Sequence, residues 1–438
     1  MAQIEIPYGE EKIQFEIPDK NLLLVGWPKQ VSTALNLEDR INKILDRPMG
    51  MDPIEKKAAC GKKVAIICDD YTRPTPAHRI LPVLLERLKK AGVKAEDICI
   101  IIAAGIHRPM KKEEIQKKVG KQIVSEGKIR IIQHDADDKN HLKYVGKTKF
   151  GTPLWINRAV ADSDIKIGIG SLEAHAYSGF CGGPKILLPG VAGKESIFHN
   201  HGELARSPQS WFGRTNNNPC WMDMVEAANI AGLDMVINVI LDSKLEIMEA
   251  VAGNPVKAQE EGIKFFLKVF GVQFPERADI VIASANPKHW YFDMSNVPMM
   301  STAEVVKNGG VRIIAAYCSE ELGPPLTRRL YEESLSRLWP SAEVYLEEIK
   351  AGKYSYEMAN APAIYKILQA QQKSDMIIVT EGVSAEKADQ LHLNWTRSMQ
   401  EALKRAFKKC GEKAKVGVMP LGGISLPYVK GQEKNYEI

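Results

Sequence analysis

Two rhythms of apolar and polar residues take turns along this chain. Short unbroken apolar runs, such as Val64-Ala65-Ile66-Ile67-Cys68, have the pattern of strands buried on both faces. Between them lie stretches such as Leu81, Leu84, Leu85 and Leu88, whose spacing places apolar residues on one face of a helix. The alternation predicts strands at 63–68, 98–104, 129–133 and 165–170, with helices over 78–91 and near 111–118. A helix at 221–231, a strand at 234–241 and a helix at 254–269 continue it. A second series has strands at 279–283, 311–317, 375–380 and 415–419. Its helices lie near 300–307, 325–337, 341–350, 362–373 and 394–408. Ahead of both series, residues 3–17 read as a β-hairpin around Tyr8-Gly9-Glu10 and 21–26 as a short strand. Residues 37–58 read as helix, broken at Pro48-Met49-Gly50.

This pattern predicts an α/β fold made of two α/β domains. A chain of 438 residues is too long for one core. Gly271 and Pro275 interrupt the two series and mark a linker, with a hinge near 270–277. The expected division is an N-terminal catalytic and cofactor-binding domain over 1–270, completed by about 411–438, and a C-terminal domain over 275–410.

Three strands of the first series end in polar loops. One is Asp69-Asp70-Tyr71-Thr72-Arg73-Pro74 and the second Gly105-Ile106-His107-Arg108-Pro109. The third runs from Gly170 through Glu173-Ala174-His175 and Cys181-Gly182-Gly183-Pro184-Lys185 to His199-Asn200-His201. In a parallel sheet these ends open on one edge, where α/β proteins bind ligands. Lys185 is then a charge clamp or, if burial lowers its pKa, a nucleophile. Taken singly, each residue has a plainer reading: Asp70 as a cap, Arg73 in a surface ion pair, His107 as a loop histidine, Gly182-Gly183-Pro184 as a turn.

Composition narrows the function. The net charge of +5 is small for this length, and no basic stripe alternates with aromatics, so nucleic-acid binding is not indicated. No apolar run has transmembrane length, and the first residues open on a strand pattern rather than a signal peptide. Seven scattered cysteines without a C-x-x-C pair point to a reducing cytoplasm and away from a zinc knuckle. No G-x-G-x-x-G stands at a strand–helix junction.

The three strand-end motifs, in this order and spacing over about residues 60–205, resemble the nickel-dependent lactate racemase family. Glu226-Ala227-Ala228 with Asn238-Val239-Ile240-Leu241 is similar too. The resemblance implies two domains with a cofactor and substrate cleft between them. It implies a nickel-pincer nucleotide, a pyridinium mononucleotide whose two sulfur arms grip nickel, joined to the protein at Lys185. His201 matches the protein nickel ligand, and His107 and His175 match the acid–base pair. Arg73 matches the substrate arginine and Asp70 a neighbouring site aspartate, with Thr72, Gly182 and Gly183 expected against the cofactor. Lys288 is a candidate contact to substrate or phosphate. The implied reaction racemises or epimerises a 2-hydroxy acid by reversible hydride transfer to the cofactor, and cofactor-synthesis enzymes are implied partners.

Departures bear on the substrate. Cys181 and Pro184 stand where founding racemases carry other residues. Ser284-Ala285-Asn286-Pro287-Lys288-His289-Trp290-Tyr291-Phe292 differs from their glycine-tyrosine-proline pattern. Trp290, Tyr291 and Phe292 are expected in the core; any of them lining the cleft makes a substrate other than lactate plausible. Two other functions remain open: a redox reaction between two substrates with the same cofactor, and a metal- or cofactor-carrying protein without turnover. A zinc hydrolase built on His199 and His201 lacks a ligand set such as H-E-x-x-H.

Overall fold

A computed structural model describes residues 1–29, 31, 36–323, 325–351 and 361–432. Its first six-stranded sheet has the order Ile247–Gly253, Met235–Leu241, Ile165–Ser171, Val64–Asp69, Ile98–Ala103, Arg130–Gln133. Every neighbour is parallel except the edge strand Ile247–Gly253. The three central strands are buried at every position, as their unbroken apolar runs require. Alternate residues serve opposite faces: Ile66 and Ile100 pack with Leu81, Leu84 and Leu88, whereas Ile67 and Ile101 pack with Leu187, Met224 and Ala227.

The second sheet has the order Trp395–Thr396, Asp375–Val379, Val306–Ala315, Ala278–Ser284, Val416–Met419, Leu22–Val25. All its pairings are parallel. The hairpin Ala2–Tyr8 with Glu11–Ile17 buries Ile4, Ile6 and Phe15 with Ile280, Ile282 and Val416. Among the described residues no helix is long and apolar enough to cross a membrane.

Sheet membership departs from the division expected at residue 270. Leu22–Val25 and Val416–Met419 belong to the second sheet, so both chain ends cross to it, rather than 411–438 completing the first; 433–438 lie outside the described residues. The physical reason is pairing: an apolar strand settles on whichever sheet edge is open to it, and chain order does not restrict the choice. The expected linker is also partly a strand. Gly271–Phe274 pairs in parallel with Leu426–Val429, which fixes a segment whose Gly and Pro suggested a free joint.

Candidate active site

From Val64–Asp69 the first sheet grows one way to Ile98–Ala103 and Arg130–Gln133, then returns to Ile165–Ser171 on the other side. Such a reversal leaves a crevice beyond the carboxyl ends of the strands. Here it is a cleft of about 840 Å³, partly open to solvent. Asp70, Thr72, Arg73, His107, His175, Gly182, Lys185 and His201 all line it. The convergence expected from three strand ends is therefore present.

Asp69 and Asp70 divide the labour of the first loop. Asp69 points into the protein, paired at 2.8 Å with the buried Lys118 and bonded to Thr75. Asp70 points to the cleft, and its Oδ2 stands 2.8 Å from His107 Nδ1. Burial pushes the Asp70 carboxyl up, but the His107 and Thr72 hydrogen bonds and the Arg73 charge outweigh it and hold it below the usual range. Thr72 donates to Asp70 Oδ1 from its hydroxyl at 2.6 Å and its amide at 3.1 Å. An ionised Asp70 accepts a hydrogen bond from His107 Nδ1–H, which leaves His107 Nε2 without a hydrogen-bond partner among the described residues.

His175 has the opposite arrangement. The Ser178 amide donates to its Nδ1 at 3.3 Å and the Ser178 hydroxyl lies 2.7 Å away. A backbone amide only donates, so Nδ1 accepts and the ring proton of neutral His175 sits on Nε2. Burial, then the charges of Lys185, His201 and Arg73, hold its pKa well below the usual value. Tyr177 meets both His175 and His201 edge-on, with ring centroids at 4.8 and 5.0 Å.

Lys185 and His201 meet at the floor. Lys185 Nζ lies 2.7 Å from His201 Nε2. His201 Nδ1 donates to Asn200 Oδ1 at 2.5 Å, so Nε2 carries the lone pair. Burial pulls the Lys185 amine down to about 8 and holds His201 well below its usual value. His199 faces elsewhere, toward Thr152 at 2.7 Å. Among the described residues no three His, Cys, Asp or Glu side chains are grouped as a metal set.

The glycine pair has a structural task. Gly182 and Gly183 have φ of 74° and 53°, and a Cβ on Gly183 would lie 2.6 Å from Gln259 Cδ. Gly182 lines the cleft; Gly183 packs on Gln259 and gives its amide to Asn238 Oδ1 at 2.8 Å. Gln259 was not singled out in the sequence and Asn238 only as the first residue of the Asn238–Leu241 resemblance, because both act across long sequence separations.

Lys288, in the loop after the second-sheet strand Ala278–Ser284, reaches the first half. Its Nζ lies 2.6 Å from Glu173 Oε2, whose other oxygen is 3.5 Å from Arg73 Nε. Burial raises the Glu173 carboxyl, but Lys288 and Arg73 outweigh it and hold it low. The aromatic cluster expected in the core is split. Phe292 is buried against Tyr331 at 5.3 Å, Tyr291 is half-buried, and Trp290 is 39% exposed beside His289. Trp290 stacks on His289 instead of entering the core, with ring centroids 5.1 Å apart.

Residues 8–213 match the family model of the lactate racemase N-terminal domain, and residues 275–426 that of the C-terminal domain. The lactate racemase of Thermoanaerobacterium thermosaccharolyticum is 31% identical over 429 residues, covering 96% of this chain and 98% of that protein. The chain belongs to the lactate racemase family. The Lactiplantibacillus plantarum lactate racemase is 30% identical over 431 residues, 96% of this chain and 99% of its own. The lactate racemase apoprotein structure from T. thermosaccharolyticum superposes with a TM-score of 0.86 at 30% identity, covering 97% of this chain and all of that one (100%). A Thermotoga maritima protein with a TM-score of 0.63 and 18% identity, covering 90% of this chain and 98% of its own, shares the fold.

Proposed function

We propose that this chain racemises or epimerises a 2-hydroxy acid, using a nickel-pincer nucleotide tethered to Lys185 and the proton-transfer pair His107 and His175. The observation that carries the reading is that both histidines line one cleft with Nδ1 engaged, by Asp70 at His107 and by Ser178 at His175, which leaves each Nε2 without a hydrogen-bond partner among the described residues.

The residues present suit the cofactor. His201 Nε2 is a neutral imidazole donor, which suits nickel. No protein-only metal set surrounds it among the described residues, so the other donors would come from the bound group, as a pincer provides. The Lys185 amine, at about 8, is partly neutral near physiological pH and so nucleophilic. When bound, the cofactor supplies a hydride acceptor.

The chain's own residues do the rest. Arg73 holds the substrate carboxylate, and Lys288 closes the cleft from the second half through Glu173. For one enantiomer, His107 Nε2 takes the C2 hydroxyl proton as the C2 hydrogen leaves with its electron pair. For return to the other face, His175 as an imidazolium gives its Nε2 proton to the carbonyl oxygen of the 2-oxo acid and is left neutral; His107 releases its extra proton and His175 regains one when the cleft reopens. Proton and hydride are both returned, so the reaction is redox-neutral. The closed cleft excludes water from the 2-oxo acid meanwhile.

The test uses protein produced alongside the cofactor-synthesis enzymes. Enantiopure 2-hydroxy acids should lose optical activity with it; no change across the panel overturns the activity. Intact mass should show an adduct that vanishes in Lys185→Ala. In His201→Ala the adduct should persist while nickel content falls.

A further inference from the structure

Behind His201 stands a chain of polar side chains that neither the acid–base pair nor the substrate contacts use. Asp223, in the helix Pro219–Ala231, is fully buried. Its carboxylate takes hydrogen bonds from the Thr148 hydroxyl at 2.5 Å, the Thr152 hydroxyl at 2.8 Å and Asn200 Nδ2 at 2.7 Å. All three donors are neutral, and among the described residues no lysine or arginine pairs with Asp223. A buried charge without a counter-charge is costly, so this one calls for a positive group within reach. The direction of the chain follows from its acceptors. Asn200 Nδ2 also donates to the Cys220 carbonyl at 2.9 Å, and the Cys220 thiol lies 3.3 Å from Asn200 Oδ1. A carboxylate and a backbone carbonyl only accept, so the amino group of Asn200 faces them and its Oδ1 faces His201 Nδ1 at 2.5 Å. The Nδ1 proton of His201 is thereby held on the Asn200 side, and the Nε2 lone pair faces the Lys185 amine.

We propose that Asp223 is a positioning residue for nickel: through Asn200 it holds His201 in the tautomer protonated at Nδ1 and makes Nε2 a stronger donor to the metal. The inference rests on the reading of His201 as the nickel ligand and adds what fixes that ligand. Without the Asp223 carboxylate, only Cys220 favours this orientation of Asn200, whose amide has two ends of nearly the same shape. A turned amide would offer His201 a donor. Nδ1 would then have to accept, and the ring proton would move to Nε2, where it blocks the metal. The charge matters as well as the orientation. A carboxylate linked to the far side of a metal-bound imidazole raises the basicity of the ligand. A metal on Nε2 is in turn the positive group that the buried carboxylate lacks, reached through Asn200 and His201.

Asp223→Asn keeps the size and removes the charge, and its amide offers Asn200 a donor as readily as an acceptor. The tautomer is read by NMR of the histidine ring nitrogens in unloaded protein, with His201→Ala assigning the signal. A Lys185→Ala background is used, because Lys185 itself lies on Nε2. With Asp223 present His201 should be protonated at Nδ1, and Asp223→Asn should bring up an Nε2–H fraction. In cofactor-loaded protein with Lys185 intact, the Lys185 adduct should appear by mass with and without Asp223→Asn. The variant should hold nickel about 10–100-fold more weakly against a chelator, the usual cost of losing a group that orients a metal ligand. The swap Asn200→Asp with Asp223→Asn keeps one carboxylate and one amide and sets the carboxylate directly on His201 Nδ1. It should restore both the Nδ1–H form and nickel retention, and it carries the test if Asp223→Asn alone does not fold. An unchanged Nδ1–H tautomer in Asp223→Asn overturns the proposal even where nickel is lost, because that loss is then one of structure. A folded swap that lacks the Nδ1–H form overturns it too. Wild type that takes up no nickel overturns the reading of His201 as its ligand, while the tautomer in unloaded protein still decides whether Asp223 sets His201.

Discussion

Each histidine in the cleft has its Nδ1 engaged by one neighbour. Asp70 fixes His107, Ser178 fixes His175 and Asn200 fixes His201. His107→Ala and His175→Ala should each cut turnover about 10²–10⁴-fold, with intact mass still showing the bound cofactor. Wild-type turnover in either removes that histidine from the reaction. Lys185 gives a pH signature. Its folded-state pKa of about 8 lies below that of an ordinary lysine, about 10.4, so its neutral fraction rises earlier with pH. In unloaded protein, acylation of Lys185 by an amine-reactive ester should climb through pH 8 while surface lysines lag, as peptide mass mapping can follow. A Lys185 rate that tracks the surface lysines contradicts the burial effect. At this scale Asp70, Arg73, His107, His175, Lys185 and His201 were legible, because polar residues just after apolar strands stand at a sheet's open edge. Gln259 was not, since nothing local marks it: it reaches the loop of Lys185 across a long sequence separation.

Most strand and helix cores were also readable to within a residue or two, but the helix expected over 37–58 ends at Asp46, the helix expected near 300–307 starts at Asn296 and gives way to strand at Val306, and the helix expected over 394–408 starts at Met399. Unbroken apolar runs admit no other placement than a strand covered on both faces. The hairpin Leu142–Lys147 with Pro153–Asn157 was missed, since its exposed lysines hide the alternation. The loop carrying Lys185 is held by elements far along the chain: Gln259 donates to Cys181 O and Gly182 O, both at 3.1 Å, and Asn238 accepts from Gly183. Asn238→Ala strands a buried amide, which costs about 1–3 kcal/mol. Chemical denaturation should show that loss, and the Lys185 adduct should form less completely. Full stability together with full adduct would mean that the loop holds its shape without this clamp.

Across the whole molecule, chain order does not mark the two halves. The chain passes from the second sheet toward the first after Val25 and returns through Gly271–Phe274. These crossings touch: the Lys29 amide donates to Val269 O at 2.8 Å, and a Cβ on Gly26 would lie 2.2 Å from Val272 Cγ1. Any opening of the cleft must turn both crossings together, so the single flexible joint expected at 270–277 is replaced by a double one. Apart from that double crossing, Lys288 and Glu173 tie the two halves at 2.6 Å. Glu173 keeps 20% and Lys288 25% of their side-chain surface in water, which screens the pair only in part. Lys288→Ala should therefore cost about 1.5–3 kcal/mol, toward the low end, as expected for a hydrogen bond between charged groups. It also removes the shorter of the two ion pairs on Glu173, so the Arg73–Glu173 pair tightens and competes with the substrate carboxylate. KM should rise more than kcat falls, and solution scattering of the unloaded variant should show a larger radius of gyration than wild type. An unchanged radius with an unchanged KM would mean that the paired crossings alone set the closure.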